Sequence, residues 1–314
     1  MLRGTRRLVA VLLCLAAAAA PARAAAPSPS VVAASTGSLN VSWTGGSSPF
    51  IAAVSTDPAF AVTLASGPVT DPATNYAFLS PDTTYYFRVK TAADTAYSAT
   101  LATATWVAAP SGIYSVTRFF AAASSYTAVA GIGWATGGNP AWTAYDLNSA
   151  EDSSFSTGLK TLALQNPQGT PLSVSGLKAN TQYYFRVRAR GVSGMLTPYA
   201  AYITTATAAM QLQDVYEDIY ESSTDVHWTP VYSAVSQPES SAGYELQLST
   251  SELMSPLTAD WTTPDATLDG AAVSALDPNT QYFYRAGALN MGGLVNFGEK
   301  TLFTTLAAKP QGAA

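Results

Sequence analysis

Leu177-Lys178-Ala179-Asn180-Thr181-Gln182-Tyr183-Tyr184-Phe185-Arg186-Val187 begins as a turn and continues as an alternating strand. Past the Asn-Thr turn, Tyr183, Phe185 and Val187 share one side of an extended chain, and Tyr184, Arg186 and Arg188 share the other, because successive strand side chains point to opposite faces. One apolar face and one basic face describe a strand with a single buried side, as in an antiparallel sheet laid on a core. The pattern recurs without gaps as Leu79-Ser80-Pro81-Asp82-Thr83-Thr84-Tyr85-Tyr86-Phe87-Arg88-Val89 and as Leu276-Asp277-Pro278-Asn279-Thr280-Gln281-Tyr282-Phe283-Tyr284-Arg285-Ala286. Tyr85, Tyr183 and Tyr282 are 98 and 99 residues apart. That period fits a small β-domain and is too long for a solenoid repeat.

A second landmark precedes each copy. Trp43 closes Leu39-Asn40-Val41-Ser42-Trp43, Trp134 closes Ile132-Gly133-Trp134 and Trp228 closes Val226-His227-Trp228, all with period-two apolar alternation. Leu-x-Pro-x-Thr-x-Tyr-x-x-Arg-Val with an upstream strand Trp resembles the fibronectin type III domain. The resemblance implies an all-β fold: three tandem fibronectin-type-III-like (immunoglobulin-like) antiparallel β-sandwiches, each of seven strands in two sheets without disulfides. It places the Trp on the second strand and the Tyr on the sixth. Tyr85, Tyr183 and Tyr282 then stand at a tyrosine corner, where the ring fills the core edge and the hydroxyl bonds upstream backbone. The copies depart from the pattern at Ala179, which replaces the Pro, and at Ala286, which replaces the Val. The Trp-to-Tyr spacing grows from 42 to 49 to 54 residues, so the middle loops differ in length.

Other segments fall into the same frame. Tyr145-Asp146-Leu147 and Tyr244 to Leu248 read as third strands. Ser55 to Phe60 and Ser149 to Phe155 are matching Ser- and acid-containing stretches that end on an apolar residue. Leu101–Trp106, Tyr202–Thr207 and Thr301–Thr305 read as last strands, followed by short junctions such as Ala108-Ala109-Pro110. The expected organisation is a signal peptide (1–24), domains at 25–108, 109–206 and 207–306, and a tail or truncated linker (307–314), with domains nearly end to end as an elongated rod. One segment is ambiguous. Leu212, Val215, Tyr216, Ile219 and Tyr220 have helical spacing with acids opposite, whereas the repeat register places a first strand there.

The leader has a positive stretch (Arg3, Arg6, Arg7), an apolar run from Leu8 to Ala20, and Ala22-Arg23-Ala24 as a cleavage site. The run is shorter than the ~20 residues of a membrane-spanning helix. Cys14 lies inside it, preceded by Leu13 rather than the small residue of a lipoprotein signal. Cleavage removes four of the 15 basic residues, none of the 20 acidic ones and the only Cys, leaving a net charge of −9. The expectation is an exported, cysteine-free protein of bacterial type (secreted, periplasmic or at the cell surface) with no transmembrane segment after cleavage.

The chain has one His and one Cys, too few for His- or Cys-centred metal sites, for Ser-His-Asp and Cys-His catalysis, or for a disulfide scaffold. His227 therefore reads as a strand residue. Residues 207–306 hold 13 acids and two bases. Asp214, Glu217, Asp218, Glu221 and Asp225 invite a calcium reading, but the D-x-D-x-D-G loop is absent. A paired-carboxylate glycosidase remains an alternative, although three sandwiches leave little chain for a catalytic domain. Net negative charge disfavours nucleic acid, and no Arg-Gly-Asp occurs. Trp142 and Trp261 lie off the core pattern and offer rings for stacking on sugars, or for packing under loops. The expectation is a non-enzymatic exported interaction, adhesion or spacer protein without catalytic, cofactor-binding or metal residues. Its partner is a protein or a cell-surface polysaccharide; a carbohydrate-binding accessory protein and a secreted hydrolase are the alternatives.

Overall fold

The computed structural model describes residues 25–117, 127–165, 171–231 and 241–310. The leader expected over 1–24 lies outside them, as does Cys14. The described residues form 22 strands and no helix, in six antiparallel sheets. Of the strands of the first copy, β1 (Ser28–Ala34), β2 (Leu39–Thr44) and β5 (Ala73–Tyr76) make one sheet, and β3 (Phe50–Ser55), β4 (Ala65–Val69), β6 (Thr84–Thr91) and β7 (Leu101–Ala104) the other. In the second copy, β8 (Ser111–Thr117), β9 (Thr127–Ala135) and β12 (Leu172–Lys178) face β10 (Ala144–Ala150), β11 (Lys160–Leu164), β13 (Gln182–Arg190) and β14 (Ile203–Ala206). The third has β15 (Gln213–Ile219), β16 (Ser223–Thr229) and β19 (Gly270–Ser274), with β17 (Tyr244–Ser249), β18 (Ala259–Thr263), β20 (Gln281–Leu289), β21 (Val295–Phe297) and β22 (Thr301–Thr304). This is the fibronectin-type-III-like sandwich, all-β throughout. The third copy has eight strands rather than seven because its last strand ladders twice with β20, first through Val295–Phe297 and then through Thr301–Thr304.

The chain divides into two compact units. The first holds the described residues up to Ala33 with Asn40–Asn75 and Tyr85–Thr103; the second holds Ala34–Leu39, Tyr76–Thr84 and everything from Ala104 onward. In the first, Trp43 lies edge-on to Phe50 at 5.3 Å and stacked on Phe87 at 6.1 Å. In the second, Trp134 tilts against Tyr145 at 5.4 Å and Trp228 against Tyr244 at 5.2 Å. All three Trp are buried, and so are Tyr85, Tyr183 and Tyr282. The Tyr183 hydroxyl accepts the Lys178 N–H at 3.0 Å, and the Tyr282 hydroxyl accepts that of Asp277 at 3.0 Å. Each N–H lies five residues upstream, where the chain leaves the ladder to turn.

The outward strand face explains the fixed Arg. Arg88 lies over Phe60 at 4.0 Å and over Tyr97 at 4.2 Å; Arg186 repeats this over Phe155 and Tyr199 at 3.9 and 4.2 Å; Arg285 lies over Phe297 at 4.0 Å. Such stacking contributes about 0.5–2 kcal/mol per pair. Arg186 also donates to Asn148 and Arg285 to Gln247, the residues opposite them in register. In the first copy that position is Ala53, and the buried Arg88 Nε has no acceptor among the described residues.

The ambiguous segment is strand β15. A bulge between Gln213 and Tyr216, with Asp214 at φ +52°, shifts the strand parity by one residue. Leu212 before the shift, and Val215 and Ile219 after it, therefore all reach the core. Their i, i+3, i+7 spacing looks helical although the chain is extended.

If the strand phase is right, Tyr183→Phe strips the part-buried Lys178 N–H of its acceptor and destabilises the chain by about 1–3 kcal/mol. Tyr184→Phe, on the opposite face, changes stability by less than about 0.5 kcal/mol. Denaturant melts compare the two, and equal effects would contradict the phase.

Candidate functional site

The turn that introduces Tyr85, Tyr183 and Tyr282 is built identically three times. Thr105, Thr207 and Thr305, at the ends of the last strands, accept the N–H of Thr83, Thr181 and Thr280 at 3.1, 3.0 and 2.9 Å. Their hydroxyls donate back to the carbonyls of Ser80, Lys178 and Asp277 at 2.7, 2.7 and 2.6 Å. Held this way, Asp82, Asn180 and Asn279 adopt left-handed φ values of +48°, +44° and +48°. Asp and Asn tolerate that region better than other side-chain-bearing residues.

The left-handed residue points its side chain away from its own sandwich. The Asp82 segment belongs to the second unit, where its carboxylate accepts the Val192 N–H at 2.7 Å and the Thr143 hydroxyl at 2.7 Å. Its carbonyl accepts the Trp142 indole N–H at 2.9 Å. Asn180 repeats the contact one copy later: its side-chain oxygen accepts the Met291 N–H at 2.6 Å. Val192 and Met291 occupy the same position in two hairpin turns, since the Gly194 and Gly293 N–H groups close them onto Gly191 and Asn290 at 2.8 and 2.9 Å. Asp82 is 1% exposed and Asn180 8%.

Asn side chains secure the linkers. Asn139 accepts the Ala108 N–H and donates to its carbonyl, both at 2.8 Å. Asn290 donates to the Thr207 carbonyl at 3.0 Å and Asn296 to that of Ala209 at 2.9 Å. Val107 is part of the second copy's core, and Ala209 is part of the third's.

Trp142 is thus tethered to a junction turn while remaining 56% exposed. Trp261 packs on Trp228 at 6.2 Å, partly buried against the third copy's core. The two rings have different tasks in different sandwiches. A cleft of about 340 Å³ opens in the second copy among Leu147, Leu162, Val174, Ser149, Ser173 and Lys160; neither Trp lines it. Phe78, fully exposed at φ +59°, takes the left-handed position held by Gly176 and Ala275 in the other copies.

The acids of β15 do not gather. Asp214 and Asp218 face out, whereas Glu217 turns inward and accepts the Tyr284 hydroxyl at 2.7 Å. His227 stacks on Tyr216 at 5.0 Å, with its Nε2 3.4 Å from Asp218. Among the described residues no group of three or more His, Cys, Asp or Glu side chains is placed to hold a metal ion. A carboxylate pair does occur on the outer face of the third copy. Burial first, and then the neighbouring Asp260, push the Glu245 carboxyl above its ordinary value.

These features define a tandem array of fibronectin-type-III-like sandwiches with built junctions. No family model and no curated protein matches the sequence. Among solved structures, the chain is similar to the FN1–FN3 domains of chicken CNTN1, at 13% identity and a TM-score of 0.32, over 90% of this chain and 99% of that one.

The repeated turn was visible in the sequence as Pro/Ala-Asp/Asn-Thr; the outward task of its Asp or Asn was not, because its partners lie about 110 residues downstream. Asp82→Ala removes the acceptor of the Val192 N–H. We expect roughly 10-fold or more faster exchange of that amide, corresponding to about 1.4 kcal/mol or more of lost local stability, with the Gly194 amide far less affected. Amide exchange by NMR reads both. A second expectation concerns pH. A carboxyl whose pKa is higher folded than unfolded loses stability as pH rises through that window, so Glu245→Gln raises the melting temperature at pH 7. The gain vanishes below about pH 4, where both states are protonated.

Proposed function

We propose that the chain is a non-enzymatic, exported scaffold that presents its loops to a protein or cell-surface polysaccharide, with its second and third sandwiches held in fixed register. One observation supports the reading above others: within the second unit the same bond, a left-handed Asp or Asn on a hairpin N–H, is made twice. Flexible linkers would leave Asp82 and Asn180 exposed. Here both are buried, and Asn139, Asn290 and Asn296 hold the linker backbone as well. Interfaces between domains in one chain are commonly small and polar, with relative motion as the default. A repeated specific bond opposes that default. The leader at 1–24 supplies the export route in this proposal, with cleavage after Ala24.

The locked register predicts that the second and third copies share one alignment tensor in residual dipolar couplings, and that Asn180→Ala releases them to reorient separately. Independent tensors in the unaltered chain would remove the main support for the scaffold. Turnover of polysaccharide substrates by the purified chain would overturn the non-enzymatic part. Saturable binding on a glycan array, lost in Trp142→Ala or Trp261→Ala, would favour the carbohydrate-binding alternative.

A further inference from the structure

The outer face of the second sandwich carries a row of charge that its neighbours lack. Arg186, Arg188 and Arg190 alternate along one side of β13, where the first copy has Arg88, Lys90 and Ala92 and the third has Arg285, Gly287 and Leu289. Alternate residues of a strand stand about 6.5–7 Å apart on one face. Aromatic rings hold the row in place: Arg186 lies over both Phe155 and Tyr199, and Tyr199 also carries Arg188 at 4.6 Å. Asp146, opposite Arg188 in register, anchors its inner edge, taking Arg188 Nε at 3.0 Å and Arg190 Nη2 at 2.8 and 3.0 Å. Arg186 Nε goes to Asn148. The Nη groups of Arg186 and Arg188, and Nε and Nη1 of Arg190, make no hydrogen bond among the described residues. Three guanidiniums against one carboxylate leave the row positive, and the Arg190 side chain is half exposed. At the other end, Tyr184 and Tyr202 meet edge to face at 5.5 Å, with Tyr202 49% exposed. In the first copy Lys90 is tied to the Asp94 carbonyl at 2.9 Å. In the third, Arg285 gives Nε and Nη2 to Gln247 and shares its face with Glu245 and Asp260.

We propose that this row is a binding site for an anionic polysaccharide, with Arg188 and Arg190 pairing its acid groups, Arg186 adding charge and Tyr202 stacking on a sugar ring. The planar guanidinium fork matches an oxyanion through two parallel N–H bonds. Arg190 already makes contact with both oxygens of one carboxylate, that of Asp146. Stacking fixes the side chains before a ligand arrives, which lowers the ordering cost of binding. An acidic peptide would use the charges alone, whereas a sugar polymer also offers an apolar ring face to the exposed tyrosine. The acids of residues 207–306 do not cancel the site, since fields between exposed charges fade over about 8 Å at physiological salt. The inference rests on the polysaccharide-facing reading above and narrows its ligand to an acidic polymer.

Calorimetric titration of the full chain with polygalacturonate, dextran sulfate, neutral dextran and polyglutamate tests the site. The expected result is saturable binding of an acidic polysaccharide that weakens as salt is added; the polymer bound tells whether the anion is a carboxylate or a sulfate ester. Arg190→Ala, which leaves Arg188 on Asp146, and Tyr202→Ala each weaken it by ~10-fold or more. Lys300→Ala removes the same charge from the third copy and leaves the affinity unchanged. If Arg190→Ala does not fold, Arg190→Lys keeps the charge, removes the fork and shows the same loss. Failure to bind either acidic polysaccharide, equal binding of polyglutamate, or an equal loss in Lys300→Ala would overturn the proposal. Neutral dextran bound equally well by Arg190→Ala would overturn this site and leave the polysaccharide-facing scaffold standing. Arg190-dependent binding supports the site even where the polymer is cleaved, since cleavage overturns only the non-enzymatic reading.

Discussion

Each sandwich ends on a threonine hydroxyl that takes one backbone proton and gives its own to a carbonyl of the same turn. The rest of the architecture depends on that two-way bond. It fixes a residue in the left-handed region, which most side chains enter only at a cost of about 1–2 kcal/mol. Glycine would enter more cheaply, but it has no side chain with which to reach the next sandwich. Asp and Asn combine tolerance of the conformation with an oxygen that can accept an N–H. The geometry of one turn thus sets both where the Tyr strand begins and what the outer end of the sandwich can hold.

The three copies tune this device differently. Asp82 receives a backbone N–H and a hydroxyl, so its carboxylate is bonded from two sides. Asn180 accepts the same kind of N–H with a neutral amide, beside the strongly acidic third copy. A carboxylate there would add to the negative charge of residues 207–306, and an amide does not. The stacked Arg varies in the same manner: its opposite residue is Asn148 or Gln247 where the guanidinium is hydrogen-bonded, and Ala53 where one nitrogen has no partner among the described residues.

Much of the fold was legible because strand periodicity is local. Alternation from Tyr183 to Val187 assigns the buried face without any long-range information, and the 98- and 99-residue period repeats the assignment. The β15 segment shows where locality misleads. A single extra residue at Asp214 turns period two into apparent helical spacing, and only the cross-strand partner β16 exposes the bulge. The junction site was less legible still. Nothing near Asp82 in the sequence announces Val192, and Trp142, singled out for an exposed ring, is held by its indole N–H. Trp261 was singled out on the same grounds and turns out to extend a core.

Val107 and Ala209 follow the last strand of one sandwich but complete the interior of the next. The unit that packs is therefore offset from the unit that the strand pattern delimits. A gene segment cut at the strand boundaries would leave its product short of one interior residue and with another stranded at its far end. A fragment meant to fold on its own is therefore expected to begin at the linker ahead of its first strand rather than at the strand itself.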